Sequence, residues 1–301
     1  MIAAPATGPF FHRAADRADP ERFCFFHAPL GATMRGSVLA VHAFAEEMNK
    51  TRAAAADGAR ALAAAGFAVL QIDLTGCGDS AGDFEDATWD EWMADLTDAW
   101  AWLGERCSGP RWLWGTRLGA LLAEQFASHS VPPAEGLLLW QPVVSGAQHL
   151  NQFLRLKTVG SLLRNAGPAA KNEGTRASMR ARSDANTSTA ALVVAPSPRA
   201  DLAAGLTVEI AGYRLNPSLA DAIESAQMGQ REAAPSRVRW FEVSSQPAPN
   251  LSPIAARVAD RWRAAGSDIQ VAIVAGNAFW QTQEIERCEA LVDASVKALC
   301  A

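Results

Sequence analysis

An α/β domain with a doubly wound, mainly parallel sheet and an inserted lid is what this sequence predicts, on three observations. Short apolar runs alternate with helix-patterned stretches from residue 22 to residue 140. The alternation breaks after Gln141, and strand-like runs return at Arg237–Ser244 and Asp268–Ala275. Between a strand and a helix of the first block stands a glycine-bounded turn, Gly115-Thr116-Arg117-Leu118-Gly119. Alternating strands and helices bury both faces of a parallel sheet, with right-handed crossovers.

Arg22-Phe23-Cys24-Phe25-Phe26-His27 reads as a strand ended by Pro29 and Gly31, and residues 36–42 as a second with an apolar centre. Residues 50–66 are alanine-rich and predict a helix closed by Gly66. Residues 67–73 form a strand, followed by a glycine-rich stretch over 75–82. The spacing of Trp92, Leu96, Trp100 and Leu103 predicts a helix over 89–107, capped by Thr88 or Asp86. A strand over 111–114, a helix over 117–129 and a strand over 136–140 complete the block. Beyond Gln141, residues 142–164 read as a helix anchored by Leu150, Phe153, Leu154 and Leu156. Residues 165–200 are rich in Ala, Ser, Asn, Thr and Pro, which predicts a mobile loop. Residues 207–230 predict a short strand and a helix, and residues 283–299 a closing helix. The expected organisation is a core of residues 1–149 and 236–301 with a lid of 150–235 over a pocket at the strands' carboxyl ends. No internal repeat interrupts it.

Composition narrows the function classes. The 301 residues are 49% hydrophobic and 20% charged with a net charge of −5, enough to bury a large core. No Lys/Arg stripe suits phosphates, so nucleic acid is not an expected partner. No apolar run is long enough to span a bilayer, and Met1-Ile2-Ala3-Ala4-Pro5 lacks the features of a secretory leader. Five scattered cysteines without CxxC spacing argue against a zinc site or a disulfide framework. The expectation is a cytoplasmic protein without metal or cofactor, whose oligomeric state the sequence leaves open.

Strand, turn, helix and both glycines at 115–119 match the nucleophile elbow G-x-S-x-G of the α/β-hydrolase fold. At its centre stands Arg117, which has no nucleophilic atom and stays charged. Close strand–helix packing alone would also explain the glycines. A literal G-x-S-x-G occurs at Gly78-Asp79-Ser80-Ala81-Gly82, but no helix starts after it. With Asp73-Leu74-Thr75-Gly76-Cys77 before it, this string resembles the loop-shaping D-x-x-G-x-G-x-S-x-G turn of many such hydrolases. The chain has no histidine after His149, and Ser245-Gln246-Pro247 stands where the triad's acid would follow its strand. A triad works as a unit, so three departures together argue against a conventional Ser-His-Asp hydrolase.

The loop after the second strand, His42-Ala43-Phe44-Ala45-Glu46-Glu47-Met48-Asn49-Lys50-Thr51-Arg52, is chemically rich. In this fold it normally donates an oxyanion-hole amide. Glu46 and Glu47 suit either the positive end of a helix dipole or a pocket. A lone His42 is more often a satisfied structural histidine than a base. Both this loop and the elbow lie over the carboxyl ends of neighbouring strands. A buried guanidinium is costly unless paired, so Arg117 is expected to meet Glu46 or Glu47.

Phe44-Ala45-Glu46-Glu47-Met48-Asn49-Lys50, Leu113-Trp114-Gly115-Thr116-Arg117-Leu118-Gly119-Ala120, Trp140-Gln141-Pro142-Val143-Val144-Ser145-Gly146 and Phe279-Trp280-Gln281-Thr282 together resemble the second type of exosortase A system-associated hydrolases. The resemblance implies an α/β-hydrolase fold in bacteria that make exopolysaccharide and sort surface proteins. His42-Ala43 departs from the proline-rich start expected before the Phe-Ala-Glu-Glu string.

Three functions follow. The first is a non-standard ester or thioester hydrolase or acyl-transfer enzyme: Arg117 binds an anionic group or polarises a carbonyl, and Glu46 or Glu47 activates water. The second is a catalytically inactive fold that binds an acyl or glycosyl small molecule or an acyl-carrier partner. The third uses Ser80, or Cys77, as nucleophile. The pocket is expected to be lined by His42, Phe44, Asn49, Thr116, Leu118 and Trp280.

Overall fold

The computed structural model describes residues 5–13, 21–31, 33–165, 197–231, 233–247, 249–282 and 284–301. The first half of the chain lays down β1 (Gly8–Arg13), β2 (Glu21–His27), β3 (Gly36–Val41), α1 (Glu46–Ala64), β4 (Phe67–Ile72), α2 (Trp89–Arg106), β5 (Arg111–Thr116), α3 (Gly119–Ala127) and β6 (Gly136–Trp140). The second half adds α4 (Gly146–Asn165), α5 (Pro198–Ala203), β7 (Val208–Ile210), β8 (Tyr213–Leu215), α6 (Pro217–Ser225), β9 (Arg237–Ser244), α7 (Pro253–Ala264), β10 (Asp268–Ala275) and α8 (Glu289–Cys300).

Eight strands form one sheet in the order β1-β2-β4-β3-β5-β6-β9-β10. From β4 to β10 every pairing is parallel, as the alternation predicts, while β1 and β2 run antiparallel at one edge. This is the expected doubly wound, mainly parallel sheet of the α/β-hydrolase fold. β3 is buried at all six residues because helices cover both faces. On one face α2 buries Trp92, Leu96, Trp100 and Leu103, and each of those leucines contributes roughly 1.5–3 kcal/mol relative to exposure. Thr88 is its N-cap in a full capping box with Glu91, which settles the choice between Thr88 and Asp86. On the other face α1 and α8 cover Trp114, Trp140 and Phe241. At Gly58 α1 presses so closely on this layer that a Cβ would lie 2.7 Å from both Trp114 and Trp140.

Several boundaries differ from the sequence reading. α1 starts at Glu46 rather than residue 50, because the two glutamates form its first turn. α3 starts at Gly119, after the elbow turn, and α4 at Gly146 and α8 at Glu289, each later than the patterns suggest. Four elements were not anticipated: β1, β8, α7 with its Ser252 cap and Pro253 start, and α5, whose Ser197 cap and Pro198 start a helix where the end of the 165–200 loop was expected. Between β6 and β9 the described residues form α4, α5, the β7–β8 hairpin and α6. Asn216 Nδ2 anchors this segment by donating to Glu85 O and Ala87 O, both at 2.8 Å. Most of the 165–200 stretch expected to be mobile lies outside the described residues. No described helix is long and apolar enough to cross a membrane.

Candidate functional site

At the end of β5 the chain turns sharply, and Arg117 takes a φ of 54°, a left-handed conformation rare for a side-chain-bearing residue. Only glycine fits on either side. A Cβ on Gly115 would come within 2.4 Å of Ala120 Cα, and one on Gly119 within 2.3 Å of His42 O. The Arg117 N–H donates to Trp140 O at 3.0 Å, and its carbonyl accepts from Val143 N at 3.1 Å. These contacts hold the strained residue and aim its side chain across the carboxyl ends of the strands. The geometry is that of the elbow, with a guanidinium at the apex.

That guanidinium meets Glu47. Nε lies 3.2 Å from both carboxylate oxygens, and Nη2 is 3.0 Å from Oε1. Nη1 donates to Gln141 O at 3.2 Å, and the group lies 5.0 Å from the Trp280 ring centroid. Arg117 is 8% exposed and Glu47 7%, so the pair is largely dry. Such a pair is retained only if hydrogen bonds offset the desolvation of both charges, and here several do. Of the two expected partners, Glu47 rather than Glu46 takes the arginine.

Beside the pair opens a cavity of about 260 Å³, lined among others by Glu46, Glu47, Lys50, His149, Gln152 and Trp280. Burial, and then the charge of Glu47, raises the Glu46 pKa above the usual carboxylate range. Its Oε2 has no hydrogen-bond partner among the described residues, nor do the Trp280 Nε1 or either ring nitrogen of His149. The sequence reading missed His149. Its spacing with Phe153 and Leu156 places the three on one face of α4, and all three line the cavity. Glu242 on β9 was missed too; burial raises its pKa, and Arg117 acts against the rise.

Burial lowers the His149 pKa from 6.5 to about 4. A histidine held neutral by the fold makes the unfolded chain the better proton acceptor, so its contribution to stability is complete above pH 6.5 and declines as pH falls toward 4. His149→Phe is expected to flatten the stability–pH curve in that window, measured by urea unfolding at several pH values. An unchanged curve would contradict a buried neutral imidazole.

The other expected pocket residues lie away from this cavity, and His42 and Thr116 line instead a second one of about 360 Å³ against α1. Leu74 N donates to His42 Nε2 at 3.2 Å, so Nδ1 carries the proton and donates to Ala43 O at 2.7 Å. Both ring nitrogens serve the backbone. Phe44 sits in the core against Trp92, His149 and Phe153, behind the cavity wall. Asn49 is exposed and donates to the Tyr213 hydroxyl at 3.1 Å. Thr116 and Leu118 are buried on either side of the elbow. Arg117, Glu46, Glu47 and Trp280 are the candidates the fold gathers in one place.

Ser80 Oγ donates to Asp73 O at 2.5 Å and accepts from Phe23 N at 2.9 Å, so this hydroxyl ties the glycine-rich turn to β2. Burial, reinforced by Asp73 and Asp95, pushes the Cys77 thiol well above its ordinary pKa, the opposite of an activated thiol. Among the described residues no group of three or more His, Cys, Asp or Glu could hold a metal ion.

Comparison with known families finds a match to the model described as serine aminopeptidase, S33, over residues 32–211. Solved structures of similar fold include Est1E from Butyrivibrio proteoclasticus, described with bound ferulic acid, at 13% identity and TM-score 0.57, covering 92% of this chain and 94% of that one. The α/β hydrolase GrgF from Penicillium sp. sh18 matches at 15% identity and TM-score 0.57, covering 98% of both chains. A thermostable carboxyl esterase from Bacillus coagulans matches at 15% identity and TM-score 0.53, covering 91% of both. The comparison with curated proteins returned no match.

Proposed function

Because the chain belongs to the serine aminopeptidase, S33 family of α/β hydrolases, we propose that it hydrolyses a small ester or thioester by activating water directly, without an acyl-enzyme. The observation that carries this reading is Glu46: a carboxylate of raised pKa, with an unpartnered oxygen, on the wall of a cavity beside the elbow. A base whose pKa lies closer to neutrality takes a proton more effectively in a transition state.

In this mechanism Glu46 takes a proton from water as the oxygen attacks the substrate's carbonyl carbon. The oxyanion that forms accepts from Trp280 Nε1–H, a donor without an acceptor among the described residues. Collapse breaks the bond to the alkoxide or thiolate, which takes from Glu46 the proton that the water gave up. Arg117 is a positioning residue: it neutralises Glu47, so that Glu46 does not share the site with a second free anion. A cytoplasmic setting, an acyl or glycosyl substrate or an acyl-carrier partner, and a link to exopolysaccharide and exosortase A systems belong to the same proposal. The cytoplasmic setting rests on the five scattered cysteines without CxxC spacing, and the others on the resemblance of residues 44–50 and 113–120.

A serine-directed phosphonate is expected to leave the protein unlabelled, and any ester or thioester hydrolysis to survive it, because Arg117 occupies the elbow. Stoichiometric labelling lost in Ser80→Ala would instead establish a serine hydrolase. A second reading, a binding protein without catalysis, is favoured by one feature: Arg117 is committed to Glu47 and Gln141 O in a dry contact. It predicts binding of acyl ligands without turnover on any ester or thioester.

A further inference from the structure

We propose that a second small-molecule site, on the α1 side of the sheet with Thr116 of the elbow in its inner wall, lies between α1 and strands β2 and β4, and that it takes a medium-length fatty acid with its carboxylate at Arg60. A cavity of about 360 Å³ lies there, within the size range of small-molecule pockets. Its origin is the uneven packing of α1. One side of the helix is pressed onto Trp114 and Trp140 at Gly58, whereas between Arg52 and Arg60 the flank above β2 and β4 offers only the methyl groups of Ala53, Ala55 and Ala56. Methyl groups cannot fill that gap.

The opposite wall is apolar and open at its outer side. Phe23 and Phe25 are half-buried there, and Phe11, 55% exposed, packs edge-on against Phe23 at 5.7 Å. An aromatic strip thus runs from the surface into the cavity, an arrangement that single exposed side chains do not produce.

Charge sets the orientation of the ligand. Arg60 lines the outer end next to His27, whose Nε2 is 2.9 Å from Gln71 Oε1. Arg60 binds Asp57, and Arg287 takes both oxygens of the same carboxylate at 2.7 and 2.8 Å. Two guanidiniums share one carboxylate, which leaves a positive surplus at this end. At the other end Arg52 is matched by Asp73 at 2.7 Å, and Asp79 adds a further negative charge. Arg52 and Arg60 are eight residues apart on α1, about 12 Å by the helical rise. A carboxylate is therefore drawn to Arg60 and an acyl chain extends inward over Phe25 and Phe23, away from the acidic end.

Dodecanoate and dodecanol binding to the full chain, measured by calorimetry below micelle-forming concentrations, tests this. Dodecanoate is expected to bind saturably at one site and more tightly than dodecanol. Arg60→Glu should weaken the acid by roughly fivefold or more while leaving the alcohol nearly unchanged. Ala56→Phe, which fills the gap, should weaken both about tenfold or more and leave ester hydrolysis intact. Arg60→Glu is a surface change and keeps the test valid if Ala56→Phe folds poorly. No saturable dodecanoate binding, undiminished binding in Ala56→Phe, or an equal effect of Arg60→Glu on acid and alcohol would each overturn the proposal.

Discussion

Replacing Arg117 with methionine is expected to lower the free energy of unfolding by about 3–5 kcal/mol, because it leaves the buried Glu47 carboxylate without its partner. The substitution also removes the donor to Gln141 O and the cation beneath the Trp280 ring. Backbone strain at φ 54° is common to both side chains and cancels in the comparison. The loss should appear as a lower urea midpoint with an unchanged m-value. Adding Glu47→Leu to Arg117→Met should restore most of the stability, since the uncompensated charge is then gone. A cost below about 1 kcal/mol would mean that the pair behaves like an exposed one, and its part in shaping the site would fall.

Glu46→Gln is expected to reduce ester or thioester turnover by about 10²- to 10⁴-fold with little change in KM, because the amide keeps the shape and cannot take a proton. The wild-type rate should rise with pH through a pKa above the usual carboxylate range, and the residual rate of the variant should lack that step. Stability should move the other way. A carboxyl whose pKa is raised by the fold contributes stability below its unfolded pKa and loses it as pH rises through the folded one. Glu46→Gln should therefore be more stable than wild type near neutral pH, a trade expected where a site keeps a buried charge for its chemistry. A variant as fast as the wild type would remove Glu46 from the mechanism. Binding of acyl ligands with no turnover by the wild type would establish the non-catalytic reading.

The elements legible in the sequence share a physical cause. β3 to β6, α2, β9 and β10 are periodic because each buries one stripe or two faces against a neighbour, and burial imposes its period on residue choice. Thr88 and Glu91 mark the start of α2 because unpaired helical N–H groups need acceptors. β1 left little trace because it is an edge strand with alternate residues exposed, and the three-residue β8 is too short to show a period. α7 carries a legible signal, with Ser252 and Pro253 at its start and Ala255, Val258, Ala259 and Trp262 buried, yet its many charges mask the apolar stripe.

By itself the sequence determined that Arg117 stands at a glycine-bounded strand–helix turn, and that a carboxylate-rich loop lies over the next strand. It followed that the guanidinium would meet a glutamate, since an unpaired buried charge is too costly to keep. Only the tertiary structure decided which glutamate. The first turn of α1 directs Glu47 at Arg117 and leaves Glu46 on the cavity wall, a difference of about 100° around the helix that residue type cannot encode. Likewise it was the packing of α4 that brought His149 to the site, and Trp280 arrived from a turn well over a hundred residues farther along the chain. Local patterns specify which face of an element is buried; which side chains then meet across elements depends on the angles at which those faces pack.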